Sequence, residues 1–285
     1  MNICSGIHIF YAFLHLPVFY TSAIDGGPFV PLTTMLAGRL MRLVAFTCLP
    51  SSTSCFAPTP AFFRKSNSRL STYLAMNYPK LCVFDLDACF WDQEMYEMPA
   101  IPDQTVLGDL NGRGKGVIGV MSGQNQITLH QGALVALQQH ADGSYPGMQV
   151  AFASSADTPF AVQIGRASLK LLEVIPGLTV WDLVVGRDWN GVDVNQIGRQ
   201  PPLSSNKSQT HFPRLKDATG IRYDEMLFFD DCNWGDHCRM VAEGCKEVDT
   251  GVGPATVRTP IGLGVKEWNK GLQVYAEQSK KLSCR

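Results

Sequence analysis

The sequence predicts an α/β fold in which helices cover both faces of a doubly wound parallel sheet. Three short apolar runs each end in polar side chains. Residues 81–84 precede two carboxylates, residues 149–153 precede two hydroxyls, and residues 226–229 precede two further carboxylates. Apolar runs of this length are typical of buried parallel strands, and segments with helical periodicity separate them. Ligand sites in open α/β sheets lie at the carboxyl ends of such strands.

Length and charge narrow the classes of function that the chain can serve. With 285 residues, the chain can form one large domain or two small ones with a packed core. Its formal net charge is −1, which argues against a nucleic-acid binder that relies on bulk electrostatics. The first 80 residues contain one acidic and six basic residues. An acid-poor leader on an acidic body is typical of a targeting segment.

The leader predicts a presequence rather than a folded domain. We expect residues 1–75 to be disordered or removed, and residues 78–285 to form the folded domain. A basic segment, an apolar patch at residues 43–49 and small residues before Phe56 form a signal-peptide pattern if translation starts at Met35 or Met41. Residues 1–40 are therefore interpreted as a possible gene-model extension.

The junction at Phe56-Ala57-Pro58 is followed by a segment rich in Ser, Thr and Arg. It resembles the bipartite presequences of algae with complex plastids, in which a signal peptide ends just before a phenylalanine and a transit peptide continues. That resemblance implies localisation in the plastid (chloroplast). An ordinary secretory leader and a cytoplasmic location are the alternatives.

The elements between the core strands follow from periodicity and turn residues. Residues 90–103 contain Pro99 and Pro102 and predict a turn and loop. Residues 105–130 alternate apolar groups with Gly-rich turns, which predicts small β-hairpins forming a flap over the carboxyl end of the first strand. Residues 130–140 predict a helix that leads into the second core strand.

The sequence of the second half of the domain predicts further alternation of helices and strands. The remaining predictions are a helix over 158–174 ended by Pro176-Gly177, a strand over 180–185 bringing Trp181 to the core, a loop over 190–205, a helix over 210–219 closed by Gly220, the third motif strand over 225–229, a helix ending near Cys245, a strand near 247–248 and a terminal helix over 265–278.

The nine cysteines include no Cys-x-x-Cys pair, so neither a disulfide framework nor a structural zinc site is predicted. Cys82 and Cys245 are interpreted as small buried hydrophobes. Cys232 and Cys238 flank His237, but their spacing fits no zinc pattern. We interpret them as loop and helix residues.

The first acidic pair suits a reaction that needs two carboxylates with different roles. Asp85 could act as a nucleophile or metal ligand while Asp87 donates a proton. In an extended chain the two side chains point apart, so the backbone must curl after Asp85 for both to face one pocket. Taken alone, the pair is also explained by a strand-terminal turn or a helix cap.

The order of the motifs is far more specific than any one of them. Strand-Asp85-x-Asp87, strand-Ser154, Lys207 and strand-Asp230-Asp231 resemble the haloacid dehalogenase superfamily of phosphotransferases. Within it, the chain is similar to the magnesium-dependent phosphatase-1 family over about residues 79–250. The segments that carry this similarity are Phe84-Asp85-Leu86-Asp87 with Phe90-Trp91, Ala151-Phe152-Ala153-Ser154, Thr210-His211-Phe212 and Met226 to Asp231 with Asn233.

The resemblance implies a haloacid dehalogenase-like, Rossmannoid fold with minimal or no cap domain. It also implies that Asp85 attacks phosphorus to form an aspartyl phosphate, and that Asp87 protonates the leaving oxygen and then activates water. Ser154, with Ser155 beside it, is expected to bind the phosphoryl oxygens of the substrate, and Lys207 to offset their charge.

The resemblance further implies Mg²⁺ as the cofactor. Its expected ligands are the Asp85 carboxylate, the backbone carbonyl of Asp87, and Asp230 and Asp231, which follow the third motif strand. Asp230 is expected to be the direct ligand of the pair, and Asp231 to bind directly or through water.

The function implied is a magnesium-dependent phosphatase, a phosphoric monoester hydrolase acting on a phosphorylated small molecule or a phosphopeptide, with phosphotyrosine and sugar phosphates as examples. No nucleic-acid partner and no stable membrane association of the mature domain are expected. The alternatives are a weak or inactive family member that binds phosphorylated partners, and a phosphotransferase using the same site. These rest on departures from the family pattern at Cys89, Ser155 and the spacing of Lys207.

Overall fold

The structure is a computed structural model that describes residues 78–284. Its strands are β1 (Leu81–Phe84), β2 (Gln104–Asp109), β3 (Lys115–Ser122), β4 (Asn125–Thr128), β5 (Gln149–Ser154), β6 (Glu173–Ile175), β7 (Leu178–Thr179), β8 (Gln196–Ile197), β9 (Met226–Asp230) and β10 (Ala255–Arg258). Its α-helices are α1 (Gln131–Ala141), α2 (Pro159–Leu171), α3 (His211–Thr219), α4 (His237–Gly244) and α5 (Val265–Ser283). The predicted presequence, residues 1–75, lies outside the described residues.

Five parallel strands form the central sheet in the order β10-β9-β1-β5-β8. The three strands that the sequence predicts from their polar ends, β1, β5 and β9, are adjacent in the middle of this sheet. Phe84, the last residue of β1, pairs with Phe152 on one side and Phe229 on the other. The polar residues that follow the three strands are therefore brought to one edge of the sheet.

Alternation of side chains along β1 explains why helices cover both faces. Cys82 and Phe84 belong to a core cluster that includes residues of α1, α2 and α5. Leu81 and Val83 belong to a second cluster with Phe212 of α3 and residues of α4. Successive side chains of a strand point to opposite faces, so a strand that is apolar at every position must be covered twice. The predicted doubly wound α/β fold is confirmed.

The predicted hairpin region forms a separate antiparallel sheet, β2-β3-β4. Val120 and Ile127 of this sheet are buried in the main core cluster. An isolated bridge between Trp91 and Leu129 ties the segment after β1 to the residue that follows β4. The small sheet is thus a hairpin element anchored on the main domain, and residues 78–284 contain no large cap.

The outer edge of β5 is covered mainly by side chains, because β8 pairs only with Ala153 and Ser154. Upstream, the Val150 amide donates to the carboxylate of Asp188 at 2.9 Å, and the Phe152 amide donates to the Asn195 side chain at 2.8 Å. The indole of Trp189 donates to the carbonyl of Val150 at 2.9 Å. These three side chains replace the neighbouring strand along the rest of β5.

The prediction of a strand over 180–185 is wrong, since Asp182–Asp188 forms a π-helical segment. The Thr179 hydroxyl accepts a hydrogen bond from the Asp182 amide at 3.0 Å and so caps the first turn of this segment. Trp181 lies half-buried with the ammonium of Lys170 5.0 Å from its ring. A short apolar run cannot distinguish a strand from a buried helical turn by periodicity.

Other elements also differ from the predictions. Helix α5 continues to Ser283 rather than ending at residue 278, and the loop predicted over 190–205 contains β8. Helix α2 ends at Leu171, and Pro176-Gly177 instead forms the turn between β6 and β7, with Gly177 at φ +80°. The strand predicted near residues 247–248 is a turn, in which Val248 is exposed and the Gly251 amide donates to the carbonyl of Glu247. The last strand of the central sheet in chain order is instead β10.

Among residues 78–284, no helix has the length and apolarity needed to cross a membrane.

Candidate active site

Three buried carboxylates meet at the carboxyl edge of the central sheet. One carboxylate oxygen each from Asp85, Asp230 and Asp231 lies within 4.8 Å of the other two. The arrangement follows from the sheet, because the Asp85 amide donates to the carbonyl of Phe229 at 2.9 Å and so continues the β1–β9 ladder for one residue. Oxygen ligands grouped in this way are suited to a hard divalent cation.

The side chain of Lys207 lies between two of these acids. Its ammonium is 2.8 Å from Asp85 Oδ1 and 2.6 Å from Asp230 Oδ2, and the residue is 1 % exposed. Burial alone would lower the pKa of Lys207, but the two carboxylates raise it above its ordinary value. The spacing of Lys207 from the next helix, one residue longer than in the similar family, does not keep it from the site.

The pKa values of Asp85 and Asp230 are shifted in opposite directions. Burial raises the pKa of Asp85 well above its ordinary value, against the opposing effect of Lys207. Burial also acts to raise the pKa of Asp230, but Lys207 and His237 outweigh it and hold that pKa below its ordinary value. Asp230 is therefore the more firmly ionised member of the pair.

Asp87 lines the same cavity but stands outside the carboxylate cluster. The backbone curls after the first acid, with Ala88 in the left-handed region at φ +51° and the Phe90 amide donating to the carbonyl of Leu86. The indole nitrogen of Trp91 donates to Asp87 Oδ1 at 3.1 Å. Burial raises the pKa of Asp87 to about 7, although the Trp91 hydrogen bond lowers it.

Trp91 is fully buried in the main core cluster, where its ring lies edge-to-face with Phe90. An indole this close to the first acidic pair could stack on a substrate or pack in the core. Its burial excludes stacking on a ligand and makes it a packing residue that also contacts Asp87. This contact could not be derived from the spacing of the motif alone.

Ser154 ends β5 and faces the cavity, and Ser155 lines the cavity beside it. The backbone at Ser154 is held by His211, whose Nε2 is 3.0 Å from the carbonyls of both Ser154 and Gly198. His211 Nδ1 is 3.0 Å from the Thr210 hydroxyl. Burial and the nearby Lys207 lower the pKa of His211 to about 4, so this residue is a neutral, packed histidine.

Cys89, one of the departures from the family pattern, is fully buried. Its sulfur accepts a hydrogen bond from the Thr259 hydroxyl at 3.2 Å. The Thr259 amide in turn donates to the carbonyl of Asp230 at 2.9 Å. Thr259 therefore connects the turn after β1 with the end of β9, and supplies a hydroxyl next to the residue that lacks one.

The site opens into a cavity of about 310 Å³. Sequence reasoning identified its inner wall and missed most of its mouth, which is lined by Glu94, Tyr96, Asp157, Arg199, Ser205, Trp234 and His237. Tyr96 lies in a single 3-10 turn, Met95–Glu97, His237 begins α4, and the other five come from loops. None of these segments carries a ligand signature in its sequence. His237 could have been suspected from its position shortly after the second acidic pair, since its Nδ1 lies 3.3 Å from Asp230 Oδ2.

Two groups of residues stay away from the cavity. Within the part of the chain that the structure describes, no residue of β2, β3 or β4 lines it, so the flap does not form its wall. Cys232 and Cys238 are buried free cysteines. Cys232 lies in the loop after β9 and Cys238 lies in α4, which agrees with their interpretation as loop and helix residues. Among residues 78–284, the one group with metal-site geometry consists of carboxylates.

A comparison with protein-family models shows the family to which the chain belongs. The family model described as Acid Phosphatase matches residues 77–278. The comparison with curated proteins gave no match. Among solved structures, the chain is similar to the cobalt-bound deoxy-D-mannose-octulosonate 8-phosphate phosphatase of Haemophilus influenzae, with 15% identity over 72% of this chain and 88% of that chain and a TM-score of 0.36. The family match spans nearly all the described residues, and the chain therefore belongs to the Acid Phosphatase family, within the haloacid dehalogenase superfamily.

Proposed function

We propose that the protein is a magnesium-dependent phosphatase that hydrolyses phosphomonoesters through an aspartyl-phosphate intermediate on Asp85. The observation that carries the proposal is the cluster of Asp85, Asp230 and Asp231, with the Lys207 ammonium bonded to the first two, next to Asp87 and Ser154 at one cavity. Phosphoryl transfer needs a nucleophile, a proton donor and positive charge placed next to the negative oxygens of the transferred group. This cavity brings candidates for all three together.

The residues fit a magnesium ion. The cluster offers only carboxylate oxygens, which is the donor set that Mg²⁺ prefers, and all three acids are buried. Asp85, Asp230 and Asp231 would hold the ion, with the backbone carbonyl of Asp87 as a further ligand. A bound Mg²⁺ would offset negative charge on the phosphoryl oxygens.

Two carboxylates share the covalent steps. An oxygen of Asp85 attacks phosphorus while the bond to the leaving oxygen breaks, and Asp87 gives its proton to that oxygen. Asp87 then takes a proton from the water that attacks the aspartyl phosphate, which releases phosphate and restores the Asp85 carboxylate. A pKa of about 7 for Asp87 supports both roles, because such a group holds a proton part of the time at neutral pH.

The remaining site residues bind the phosphoryl group. Ser154 and Ser155 line the cavity and present hydroxyls for phosphoryl oxygens, and Lys207 offsets their negative charge. Lys207 reaches Asp85 and Asp230 at hydrogen-bond distance, so its charge is already placed where the nucleophile lies.

Phosphate release by the purified full-length chain tests the proposal. We expect hydrolysis of 4-nitrophenyl phosphate with Mg²⁺, loss of turnover with a chelator, and loss of at least about 10³-fold in kcat for Asp85→Asn, as expected when a nucleophile is removed. Asp217→Asn is the matched control, because Asp217 is exposed on α3 and does not line the cavity.

Three outcomes would contradict or change the proposal. Turnover that survives in Asp85→Asn would contradict the assignment of the nucleophile. Thermal stabilisation by Mg²⁺ without hydrolysis of any ester would instead favour an inactive family member that binds phosphorylated partners. Transfer of the phosphoryl group to an alcohol rather than to water would favour a phosphotransferase.

We also propose that the substrate is a phosphorylated small molecule or the side chain of a phosphopeptide. The cavity volume of about 310 Å³ supports this substrate class, since it lies in the lower range of small-molecule sites.

We further propose that the leader directs the protein to a plastid. The scarcity of acidic residues in the leader supports this localisation. A fluorescent fusion of residues 41–80 that stays in the cytosol, or is secreted, would contradict the plastid proposal.

A further inference from the structure

Two aromatic rings form a corner at the mouth of the cavity. The centroids of Tyr96 and Trp234 are 6.3 Å apart and their planes meet at 80°. Both line the cavity that contains Asp85 and Asp87, and both are exposed, Trp234 at 76 % and Tyr96 at 49 %. Burying large aromatic surfaces is favourable, so two exposed rings beside a reaction centre indicate a surface that a ligand covers.

The surroundings of this corner are acidic. Glu94 lines the cavity, and its carboxylate accepts a hydrogen bond from the Trp234 indole at 3.3 Å. Glu97 accepts one from the Tyr96 hydroxyl at 3.1 Å. Asp157 also lines the cavity, with Arg199 3.7 Å away as a partly compensating cation. An acidic mouth repels an ordinary phosphate dianion and attracts a substrate whose other end is positively charged.

Aromatic faces bind cations, and several lysine side chains of the protein lie over aromatic rings elsewhere. Lys170 lies over Trp181, Lys207 over Phe228 and Lys216 over Tyr223. Among residues 78–284, no lysine or arginine lies over Tyr96 or Trp234. Perpendicular aromatic walls with a carboxylate beside them are the arrangement that recognises alkylammonium groups.

We propose that Tyr96, Trp234 and Glu94 form a leaving-group subsite that selects phosphomonoesters of small alcohols carrying an alkylammonium group, such as choline phosphate. The proposal rests on the phosphatase function proposed above. The phosphoryl end of the substrate lies at Asp85 and Ser154. The cationic end lies in the corner that the two rings form, with Glu94 as its counter-charge.

The test compares choline phosphate with 3,3-dimethylbutyl phosphate, which has the same shape without the charge. For the full-length chain with Mg²⁺, we expect kcat/KM to be about tenfold higher for choline phosphate, in line with a cation–π contact plus a nearby carboxylate. Trp234→Leu and Glu94→Gln should bring this ratio down by about fivefold or more. The comparison between variants decides the matter, because the acidity of each leaving alcohol is the same for every variant.

Trp181→Leu is the matched control, since Trp181 does not line the cavity, and it should keep the ratio of the unmodified chain. Equal kcat/KM for the two esters, or a ratio that survives both Trp234→Leu and Glu94→Gln, would overturn the subsite.

Failure of the phosphatase function itself would give a different result, namely no phosphate from either ester or from 4-nitrophenyl phosphate. In that case, calorimetric measurement of the binding of the two esters decides whether the subsite exists. Tighter binding of choline phosphate than of the neutral ester, lost in Trp234→Leu, would support the subsite, and equal binding would overturn it.

Discussion

The ammonium of Lys207 lies 2.6 Å from Oδ2 of Asp230, and the two residues are 1 % and 0 % exposed. A lysine from the loop before α3 thus neutralises a carboxylate at the end of β9 inside the protein. The loop and the sheet edge are held together by charge as well as by packing. Removal of one partner of such a buried pair leaves the other charge uncompensated.

We therefore expect Lys207→Met to lower the free energy of unfolding by about 3 kcal/mol in the presence of a chelator. Millimolar Mg²⁺ should restore part of this loss, because a divalent cation bound by the same acids supplies the missing positive charge. Urea unfolding of the variant with and without Mg²⁺ measures both effects. Lys266→Met, at an exposed position of α5, is the control. A variant as stable as the unmodified chain without metal would show that the pair is not stabilising.

The hydrogen bond from Trp91 to Asp87 leads to a prediction about leaving groups. Trp91→Phe keeps a large apolar ring in the core but loses the indole donor that orients Asp87. We expect kcat for an alkyl phosphate to fall about tenfold, within the range that general acid catalysis contributes. For 4-nitrophenyl phosphate the decrease should be much smaller, because nitrophenolate leaves without a proton. Equal decreases for the two substrates would indicate a general structural defect.

The buried, neutral state of His211 predicts a pH dependence of stability. Its pKa is about 4 in the folded protein, against about 6.5 in an unfolded chain. The unfolded state therefore binds more protons between these values, so the contribution of His211 is present above pH 6.5 and is lost as the pH falls toward 4. Between these two pH values, His211 changes the free energy of unfolding by about 3 kcal/mol.

His211→Gln should be less stable at pH 8 than the unmodified chain, and its stability should fall less steeply between pH 6.5 and 4. Glutamine retains an N–H donor for the carbonyls of Ser154 and Gly198 but does not titrate. Urea unfolding at a series of pH values gives both curves. Parallel curves over this interval would exclude His211 as a source of the pH dependence.

Close packing of α5 on β9 predicts the effect of a single methyl group. A Cβ added at Gly271 would lie 2.7 Å from Phe229 Cε1, and nearer still to Cζ of the same ring. Alanine would gain about 1 kcal/mol in helix propensity, but overpacking costs typically 1–3 kcal/mol, and here the contact is with a fully buried ring. We expect Gly271→Ala to be destabilising by about 1–2 kcal/mol in urea unfolding.

Gly186→Ala provides the comparison, because no neighbouring atom lies within 4 Å of the added Cβ. Its stability should stay within about 0.5 kcal/mol of the unmodified chain. A stabilised Gly271→Ala variant would show that α5 moves away from β9 at little cost.

The sequence was sufficient to predict the three inner strands of the central sheet, β5, β1 and β9, because their signals are local. In β1 every residue is apolar, and such a strand must be buried on both faces, as the two core clusters show. The convergence of Asp85 with Asp230 then follows from the parallel pairing of β1 and β9. For these residues, the order of the elements already contains the information about their proximity.

Other features depend on contacts that the sequence does not encode locally. The apolar run at residues 180–185 forms a helical turn because Thr179 caps it, and a strand would have suited the same residues. β10 is only four residues long, and two of those are Thr and Arg. Tyr96 and Trp234 meet at the cavity although 138 positions of the numbering separate them, since both loops are positioned by the strands that precede them.

The side chains of Asp188, Trp189 and Asn195 along the outer edge of β5 have a consequence for self-association. A strand edge with free amides and carbonyls can recruit a strand from another molecule and start aggregation. Here those groups are already bonded, so an incoming strand would have to displace two buried side-chain acceptors before it could pair. Three side chains thus protect the part of the β5 edge that β8 leaves uncovered from intermolecular sheet growth.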